Sequence, residues 1–187
     1  MNAFIDISNT VLMTERLTLR PFRESDLDDF YEYASVDGVG QMAGWLPHKN
    51  RDESKKILDM FIAGKKTFAV EYEGKVIGSL GIEEYDEAKF PSLELPKCRE
   101  IGYVLSKDYW GHGLMPEAVM RVIAYLFDDI GLDAILCGHF TRNAQSARVQ
   151  EKCGFTYFAD HEYRTRYGVT EQCKINILTK EQYKSRR

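Results

Sequence analysis

The sequence has no long apolar run and no surplus of basic residues, and each absence excludes a class of protein. No run approaches the roughly 20 residues that cross a bilayer. The opening stretch MNAFIDISNTVLMTERL lacks the positive start and apolar centre of a signal peptide. We therefore expect no membrane partner. The formal charge of -4 argues against a dedicated nucleic-acid binder and suits a cationic partner such as an amine.

Cysteine is also sparse, with four residues widely separated along the chain. Their spacing fits neither a zinc site nor a CxxC redox pair, and a chain of 187 residues does not depend on disulfides. We therefore expect no metal, reduced thiols and a cytoplasmic location. No repeat or low-complexity linker interrupts the sequence, which predicts a single domain over residues 1–187. The sequence leaves open whether that domain is a monomer or a homodimer.

Apolar periodicity predicts strands and helices in mixed order. Helix signals include a cap at Ser25 or Asp26 and a stop at Gly64. The predicted strands are 16–22, two within 67–82, 97–106, 133–140, 157–164 and 169–178. The predicted helices are 27–34, a segment around 57–62, 118–127 and 143–154. This order indicates an α/β domain whose sheet is largely antiparallel in its first half.

The stretch SKDYWGHGLMPEAV, residues 106–119, follows a predicted strand and opens a helix. Gly111 and Gly113 let the backbone turn its amides inward without a Cβ in the way. The first N–H groups of a helix have no partner within the helix, so they can bind an anion. The stretch matches neither GxxxxGK nor GxGxxG. Taken alone, it is equally well a flexible helix start.

Two neighbouring features favour a ligand. Gly102 interrupts the preceding strand, where glycine often marks a bulge or the close approach of another chain or a ligand. A second helix opens at Asn143, again directly after a strand. Two such helix starts could converge on one long, phosphate-bearing ligand.

The motifs IGYVLSKDYWGHGLMPEAV and NAQSARVQEKCGF, in that order, resemble the GNAT family of N-acetyltransferases. Within it they are most similar to the branch that acetylates the N-termini of ribosomal proteins. TERLTLRPFRESD and GWLPHKNRDESKKILDMFI extend the resemblance over nearly the whole chain. The resemblance implies an α/β (α+β) GNAT fold. Its mixed, mostly antiparallel sheet has about seven strands, splays between strands 4 and 5, and is flanked by about four helices.

The resemblance also implies an enzyme that moves the acetyl group of acetyl-CoA to a primary amine, by direct attack of the amine on the thioester. A protein N-terminal α-amine, of alanine or serine, is the first acceptor that it suggests. A polyamine, an amino acid or an antibiotic are alternatives, since acceptor loops vary independently of the fold. A non-catalytic acyl-CoA-binding module is the alternative from another class.

Carried over by position, the resemblance implies where acetyl-CoA binds. The backbone of Tyr103, Val104 and Leu105 would pair with the pantetheine amides, and Asn143 and Ser146 would contact the arm near the sulfur. The backbone amides of residues 110–115 would hold the pyrophosphate. Those residues are Trp110, Gly111, His112, Gly113, Leu114 and Met115. The side chain of Trp110 is open to two interpretations, core packing and covering the cofactor.

Two positions depart from the family pattern, and their roles stay open. Asp108 stands where the pyrophosphate signature usually begins with Gln or Arg, so binding would depend on backbone amides. Gln150 stands where many members place a tyrosine that protonates the leaving thiolate. In the ribosomal-protein-like branch a serine is thought to serve instead, and Ser146 is the matching residue. The other interpretation of Ser146, which the match to that serine makes the second choice, is a helix-capping hydroxyl.

Glu100 is the first candidate for the general base, because an amine attacks only when it is neutral. It shares a strand face with Gly102 and Val104 by alternation. The competing interpretation is a solvated carboxylate paired with Arg99 or another neighbour.

Three residues are predicted to border the acceptor pocket: Trp45, Glu83 and Glu162. For the same reason Glu83 and Glu162 are further candidates for the base. The resemblance favours a wall of the acceptor site for Trp45, and the other interpretation is a core anchor. His139, on the fifth predicted strand, is interpreted first as a structural histidine and second as a base.

Overall fold

The computed structural model describes residues 1–91, 93 and 95–186. Within them a single sheet has eight strands in the order β1-β2-β3-β4-β5-β6-β8-β7. The β5–β6 pair is parallel and the other neighbouring strands pair antiparallel. The strands are β1 (Leu12–Met13), β2 (Leu17–Pro21), β3 (Thr67–Tyr72), β4 (Lys75–Glu83), β5 (Cys98–Leu105), β6 (Ala134–Phe140), β7 (Thr156–Arg164) and β8 (Thr170–Thr179). The mixed, mostly antiparallel sheet is confirmed, with the short β1 added to the predicted strands.

Five α-helices flank the sheet in the described residues. They are α1 (Leu27–Ala34), α2 (Arg51–Gly64), α3 (Leu114–Ala124), α4 (Ala144–Cys153) and the short α5 (Lys180–Lys184). A π-helical turn at Tyr125–Asp129 extends α3. The first four helices are the predicted ones, and no helix in the described part of the chain has the length and apolarity needed to cross a membrane.

Local chemistry explains the helix ends, with one correction. The side chain of Asn50 caps α2 by accepting a 2.9 Å hydrogen bond from the Glu53 amide. Asp26 is the N-cap residue of α1, but its side chain makes no capping bond to that helix. Its carboxylate instead accepts two 2.8 Å hydrogen bonds from the buried guanidinium of Arg20. Glu71 also pairs with Arg20 at 2.7 Å, so this cation ties β2, β3 and the start of α1 together.

The core lies in layers on both faces of the sheet. Residues of α3, among them Val119 and Val122, pack with Leu80 and Ile101 on one face. Residues of α1 and α2, such as Phe30 and Leu58, pack on the opposite face. Burial of these apolar side chains is the main term that holds the layers together.

The sheet opens between β5 and β6. These strands pair over four positions, from Cys98 with Ala134 to Ile101 with Cys137. Beyond that point β5 continues along β4 to Leu105, while β6 continues along β8 to Phe140. The two strands therefore diverge at their carboxyl ends. They are the fourth and fifth strands of the sequence analysis, so the predicted splay is present.

Candidate active site

A cavity of about 690 Å³ occupies the gap where β5 and β6 diverge. Its lining joins the turn before α3, the diverging strands, the first turns of α4 and the inner side of β7 and β8. The predicted site residues that line it are Glu100, Tyr103, Val104, Leu105, Trp110, Gly111, Gly113, Leu114, Met115, Asn143 and Ser146. The fold thus brings together most of the residues predicted for catalysis and cofactor binding.

The open edge of β5 offers backbone groups to this cavity. The Ser106 amide donates to the Ile77 carbonyl at 2.7 Å. Because backbone groups alternate in an antiparallel ladder, those of Tyr103 and Leu105 face away from β4, towards the gap. The backbone groups of Val104 face β4. Val104 lines the cavity and packs against the α1–α2 core. The prediction that its backbone pairs with a ligand does not fit this register.

The turn before α3 exposes helix amides to the same cavity. Gly111 and Gly113 have φ values of 82° and 74°, in the left-handed region that glycine adopts without strain. The amides of Leu114 and Met115 belong to the first helical turn, where backbone N–H groups have no partner within the helix. These donors and the positive end of the helix dipole favour an anion.

Arg16 holds this turn, a role that the sequence analysis missed. Its Nη1 donates to the His112 carbonyl at 3.0 Å, and its guanidinium pairs with Glu117 at 2.7 Å. The side chain of His112 is exposed and His112 is outside the described lining, unlike its glycine neighbours. Trp110 packs against the α1–α2 core, as one interpretation predicted. It also lines the cavity, and its Nε1 donates to the Leu105 carbonyl at 2.9 Å, so covering a cofactor stays a prediction.

Two cations on α4 line the cavity as well. Arg148 and Lys152 are exposed and lie one helical turn apart, on the face turned towards the gap. Asp108 is exposed and is outside the described lining. Arg148 and Lys152 therefore place positive charge beside the cavity, whereas the guanidinium of Arg16 is paired with Glu117 and is outside the described lining. The sequence signal was the i, i+4 spacing of the two cations, which the analysis did not use.

Ser146 lies within a polar cluster at the start of α4. Its amide donates to the Asn143 side chain at 3.1 Å, which confirms Asn143 as the helix N-cap. Its Oγ lies 2.9 Å from the Tyr103 hydroxyl and 3.3 Å from Gln150 Nε2. Burial raises the pKa of Tyr103 well above its ordinary value, so this hydroxyl stays protonated.

Gln150 is fully buried and connects four groups. Its amide nitrogen donates to the Gly138 carbonyl at 3.1 Å and to Ser146. Its Oε1 accepts from Asn176 at 2.7 Å and lies 3.2 Å from His139 Nδ1. Burial lowers the pKa of His139, so its imidazole is neutral near pH 7, in keeping with a structural role first.

Glu100 lies on the opposite face of the sheet from Ser146, and Gly138 separates them. A Cβ added at Gly138 would lie 3.4 Å from Glu100 Oε1. Desolvation is the main cause that raises the pKa of Glu100 to about 7, and the charge of Glu83 adds to it. The predicted alternative, pairing with Arg99, is wrong, because Arg99 donates to the Ala3 carbonyl at 2.5 Å and faces Glu84 at 3.5 Å.

The three residues predicted to border the acceptor are all outside the described cavity lining. Trp45 packs into the α1–α2 core, with its ring 5.1 Å from that of His48, which supports the core-anchor interpretation. Glu83 pairs with Lys66 at 2.5 Å. Glu162 is exposed and accepts a 2.8 Å hydrogen bond from Gln172. The alternation of β7 turns its two neighbours, His161 and Tyr163, inward instead.

The Glu100 side of the cavity is lined by residues that the sequence analysis did not select. They are Met42, Glu84, Asp86, Lys89, Phe90, His161 and Tyr163. Most come from irregular segments, where no periodicity indicates which side chains point inward. Burial lowers the pKa of His161, and Lys89 adds to that effect. The described residues contain no cluster of three or more His, Cys, Asp or Glu side chains suited to a metal ion.

Comparison with known proteins assigns this arrangement to one family. Residues 16–156 match the family described as acetyltransferase (GNAT) domain. The chain is 30% identical over 152 residues to the uncharacterized N-acetyltransferase YoaA of Bacillus subtilis, covering 78% of this chain and 82% of that protein.

Two solved structures show the same fold. The ribosomal-protein-S5-alanine acetyltransferase of Vibrio fischeri superposes with a TM-score of 0.70 at 21% identity, over 92% of this chain and 98% of that one. The microcin C7 self-immunity acetyltransferase MccE, solved with acetyl-CoA and AMP, superposes with a TM-score of 0.74 at 18% identity. That match covers 89% of this chain and 93% of that one.

Proposed function

This chain belongs to the GNAT acetyltransferase family, and from that premise we propose that it transfers the acetyl group of acetyl-CoA to a primary amine, a protein N-terminal α-amine first. One observation carries the proposal. A single cavity joins the anion-binding turn at α3 to the open edge of β5 and to the carboxyl of Glu100. An acyl donor with a phosphate end and an acceptor amine can therefore meet at the gap between β5 and β6.

The residues present fit acetyl-CoA. Free amides at residues 114 and 115, with Arg148 and Lys152 nearby, suit a pyrophosphate. The backbone groups of Tyr103 and Leu105 along the gap suit the amides of an extended arm. The solved complex of MccE with acetyl-CoA supports the same donor through a shared fold.

Glu100 and Ser146 have different roles and lie on opposite faces of the sheet. When bound, acetyl-CoA supplies a thioester carbon that a neutral amine can attack. Glu100 accepts the proton that the amine must lose, and its raised pKa, about 7, suits a base that works near neutral pH. Ser146 donates a hydrogen bond towards the sulfur side of the gap. The amide of Tyr103 faces the gap and can stabilise negative charge on an acyl oxygen.

The lower pKa of an α-amine favours it over a lysine side chain as the acceptor, whichever group is the base. Free α-amino groups have pKa values near 8, whereas lysine side chains have values near 10.4. A base with a pKa of about 7 therefore takes a proton from an α-amine at a smaller free-energy cost. The motif resemblance to ribosomal-protein N-terminal acetyltransferases points the same way. The four unpaired cysteines accord with action in the reducing cytoplasm.

The test is a transfer assay on one preparation with acetyl-CoA and a panel of amines. The panel holds a peptide with a free Ala or Ser N-terminus, the same peptide with a blocked N-terminus and an internal lysine, a polyamine and a free amino acid. Mass spectrometry detects one added acetyl group. Acetylation of the free N-terminus is expected, with a strong loss in Ser146→Ala and none in Glu181→Gln, an exposed residue of α5.

Three outcomes would revise the proposal. Transfer to the polyamine or amino acid alone would identify a small-amine acetyltransferase. Tight binding of acetyl-CoA without transfer to any amine would identify an acyl-CoA-binding module. The absence of any thermal shift with millimolar acetyl-CoA would exclude both an acetyl-CoA-dependent transferase and an acyl-CoA-binding module.

A further inference from the structure

The Ser146 hydroxyl is surrounded by two groups that can donate to it. Tyr103 Oη lies at 2.9 Å and Gln150 Nε2 at 3.3 Å. In the part of the chain that the structure describes, Ser146 Oγ has no third hydrogen-bond partner. A hydroxyl has two acceptor positions and one hydrogen. If both neighbours donate, both acceptor positions are filled, and the remaining hydrogen points into the cavity that Ser146 lines.

Gln150 is fixed as a donor. The Gly138 carbonyl can only accept, so the side-chain nitrogen of Gln150, at 3.1 Å, must face it. The second hydrogen of that nitrogen is then directed to Ser146 Oγ at 3.3 Å, with the Tyr103 hydroxyl also within reach of the Gln150 side chain. Asn176 donates to Gln150 Oε1 at 2.7 Å, which opposes any flip of the amide. Because Gln150 is fully buried, water does not compete for these bonds.

Tyr103 is the partner that can change its hydrogen bond. Its hydroxyl lies between Ser146 Oγ at 2.9 Å and the Ser146 carbonyl oxygen at 3.2 Å. When Tyr103 donates to the carbonyl, Ser146 can donate back to Tyr103. When Tyr103 donates to Oγ instead, the hydrogen of Ser146 is released towards the cavity. Rotation of one C–O bond interconverts these two arrangements.

We propose that Tyr103 is the positioning residue that turns the Ser146 hydroxyl outward, with Gln150 as the fixed second donor. The inference rests on the proposed function, in which Ser146 faces the departing sulfur. As negative charge develops there, Tyr103 donates to Ser146 Oγ and Ser146 donates to the sulfur. Tyr103, on β5, thus assists Ser146, on α4. Many family members instead carry a tyrosine on that helix, at the position of Gln150.

Tyr103→Phe removes this donor and keeps the ring that packs against the core. We expect kcat to fall about tenfold, the effect of one hydrogen bond of about 1.4 kcal/mol, while the Kd for acetyl-CoA stays unchanged. In a Ser146→Ala background the same change should have no further effect, because Tyr103 acts through Ser146. The matched control is Tyr157→Phe, at a tyrosine that is 60% exposed and outside the described lining.

A purely structural role would give a different result, with Tyr103→Phe lowering kcat by the same factor in both backgrounds. That result, or an unchanged kcat in the single variant, would overturn the inference.

A second measurement needs no acetyl transfer. The pKa of the bound CoA thiol, read from thiolate absorbance, should be lower in the wild-type chain than in Tyr103→Phe. Equal thiol pKa values in the two proteins would overturn the inference. A wild-type chain that transfers no acetyl group would instead overturn the proposed function.

Discussion

Replacing Glu100 by Gln should slow the reaction and stabilise the protein at the same pH. The change removes a half-buried carboxyl and keeps its shape and much of its hydrogen-bonding capacity. If Glu100 accepts the proton of the amine, kcat/KM should fall about 100-fold or more at pH 7.5, the range of general-base effects. The base limb near pH 7 should disappear from the pH profile. The limb near 8 that belongs to an α-amine should stay.

The expected gain in stability follows from the direction of the pKa shift. A carboxyl whose pKa is raised in the folded protein binds its proton more tightly there than in the unfolded chain. Glu100 therefore favours folding at low pH, and this contribution is lost as the pH rises from 4.5 through about 7. The shift, from 4.5 to about 7, makes the ionised carboxylate oppose folding by at most about 3 kcal/mol above that range.

Thermal unfolding of both proteins at pH 5 and pH 8.5 tests this sign. For a chain of this size about 1 kcal/mol corresponds to roughly 2–4 °C, so Glu100→Gln should raise the Tm by at most about 6–12 °C at pH 8.5. At pH 5 the gain should be a few degrees at most. Glu181→Gln, at an exposed carboxylate, should change neither the Tm nor the rate.

Two results would refute the reasoning. A Glu100→Gln protein that is less stable than the wild type at pH 8.5 would mean that the carboxylate is favourably paired, not desolvated. A variant that keeps both the rate and the base limb near pH 7 would remove Glu100 from the reaction and leave bulk water or another residue as the base.

Three further predictions test other parts of the structure. Gly111→Ala forces a side chain into a left-handed conformation and should raise the KM for acetyl-CoA about tenfold; Gly74→Ala, with the same strain in the β3–β4 turn, should leave that KM unchanged. Glu83→Gln removes a charge that raises the pKa of Glu100, so the base limb of the kcat/KM profile should move to lower pH. Arg20→Ala breaks a buried ion pair and should cost about 3–5 kcal/mol in urea unfolding, without changing the KM for acetyl-CoA.

Sequence periodicity was sufficient for most of the fold. The alternation of β2 and the apolar face of α3 are local patterns that a single segment carries, and the structure has both elements where they were predicted. Leu12–Met13 escaped prediction because two residues are too few to establish an alternation. Asp26 has the residue type of a cap, but a cation six residues earlier binds its carboxylate. The same carboxylate accepts a 2.8 Å hydrogen bond from the Arg23 amide in the turn before α1, so it caps that turn and pairs with Arg20, and it makes no bond to the amides of α1 itself.

The site residues also fall into those that local sequence patterns predict and those that depend on tertiary structure. The residues predicted to bind acetyl-CoA lie in two motifs, and their spacing places them on a strand end and two helix starts. Glu162 and Trp45 were misplaced because the sequence does not show which side of an exposed strand or loop faces a cavity. His161 is adjacent to Glu162, and a shift of one residue along β7 exchanges inside for outside. Tyr103 was selected for its backbone alone, although its hydroxyl reaches a helix 43 residues later.

The short register between β5 and β6 has a mechanical consequence. The sheet consists of two halves that are joined by only four residue pairs between β5 and β6. Beyond these pairs the described residues of the two strands are not hydrogen-bonded to each other. A ligand that forms hydrogen bonds to the open edges of both β5 and β6 would take the place of a strand and connect the two halves of the sheet. Ligand binding in the gap would then limit the motion of the C-terminal half of the sheet relative to the N-terminal half. Slower amide hydrogen exchange along β6 in the presence of the ligand would measure this effect.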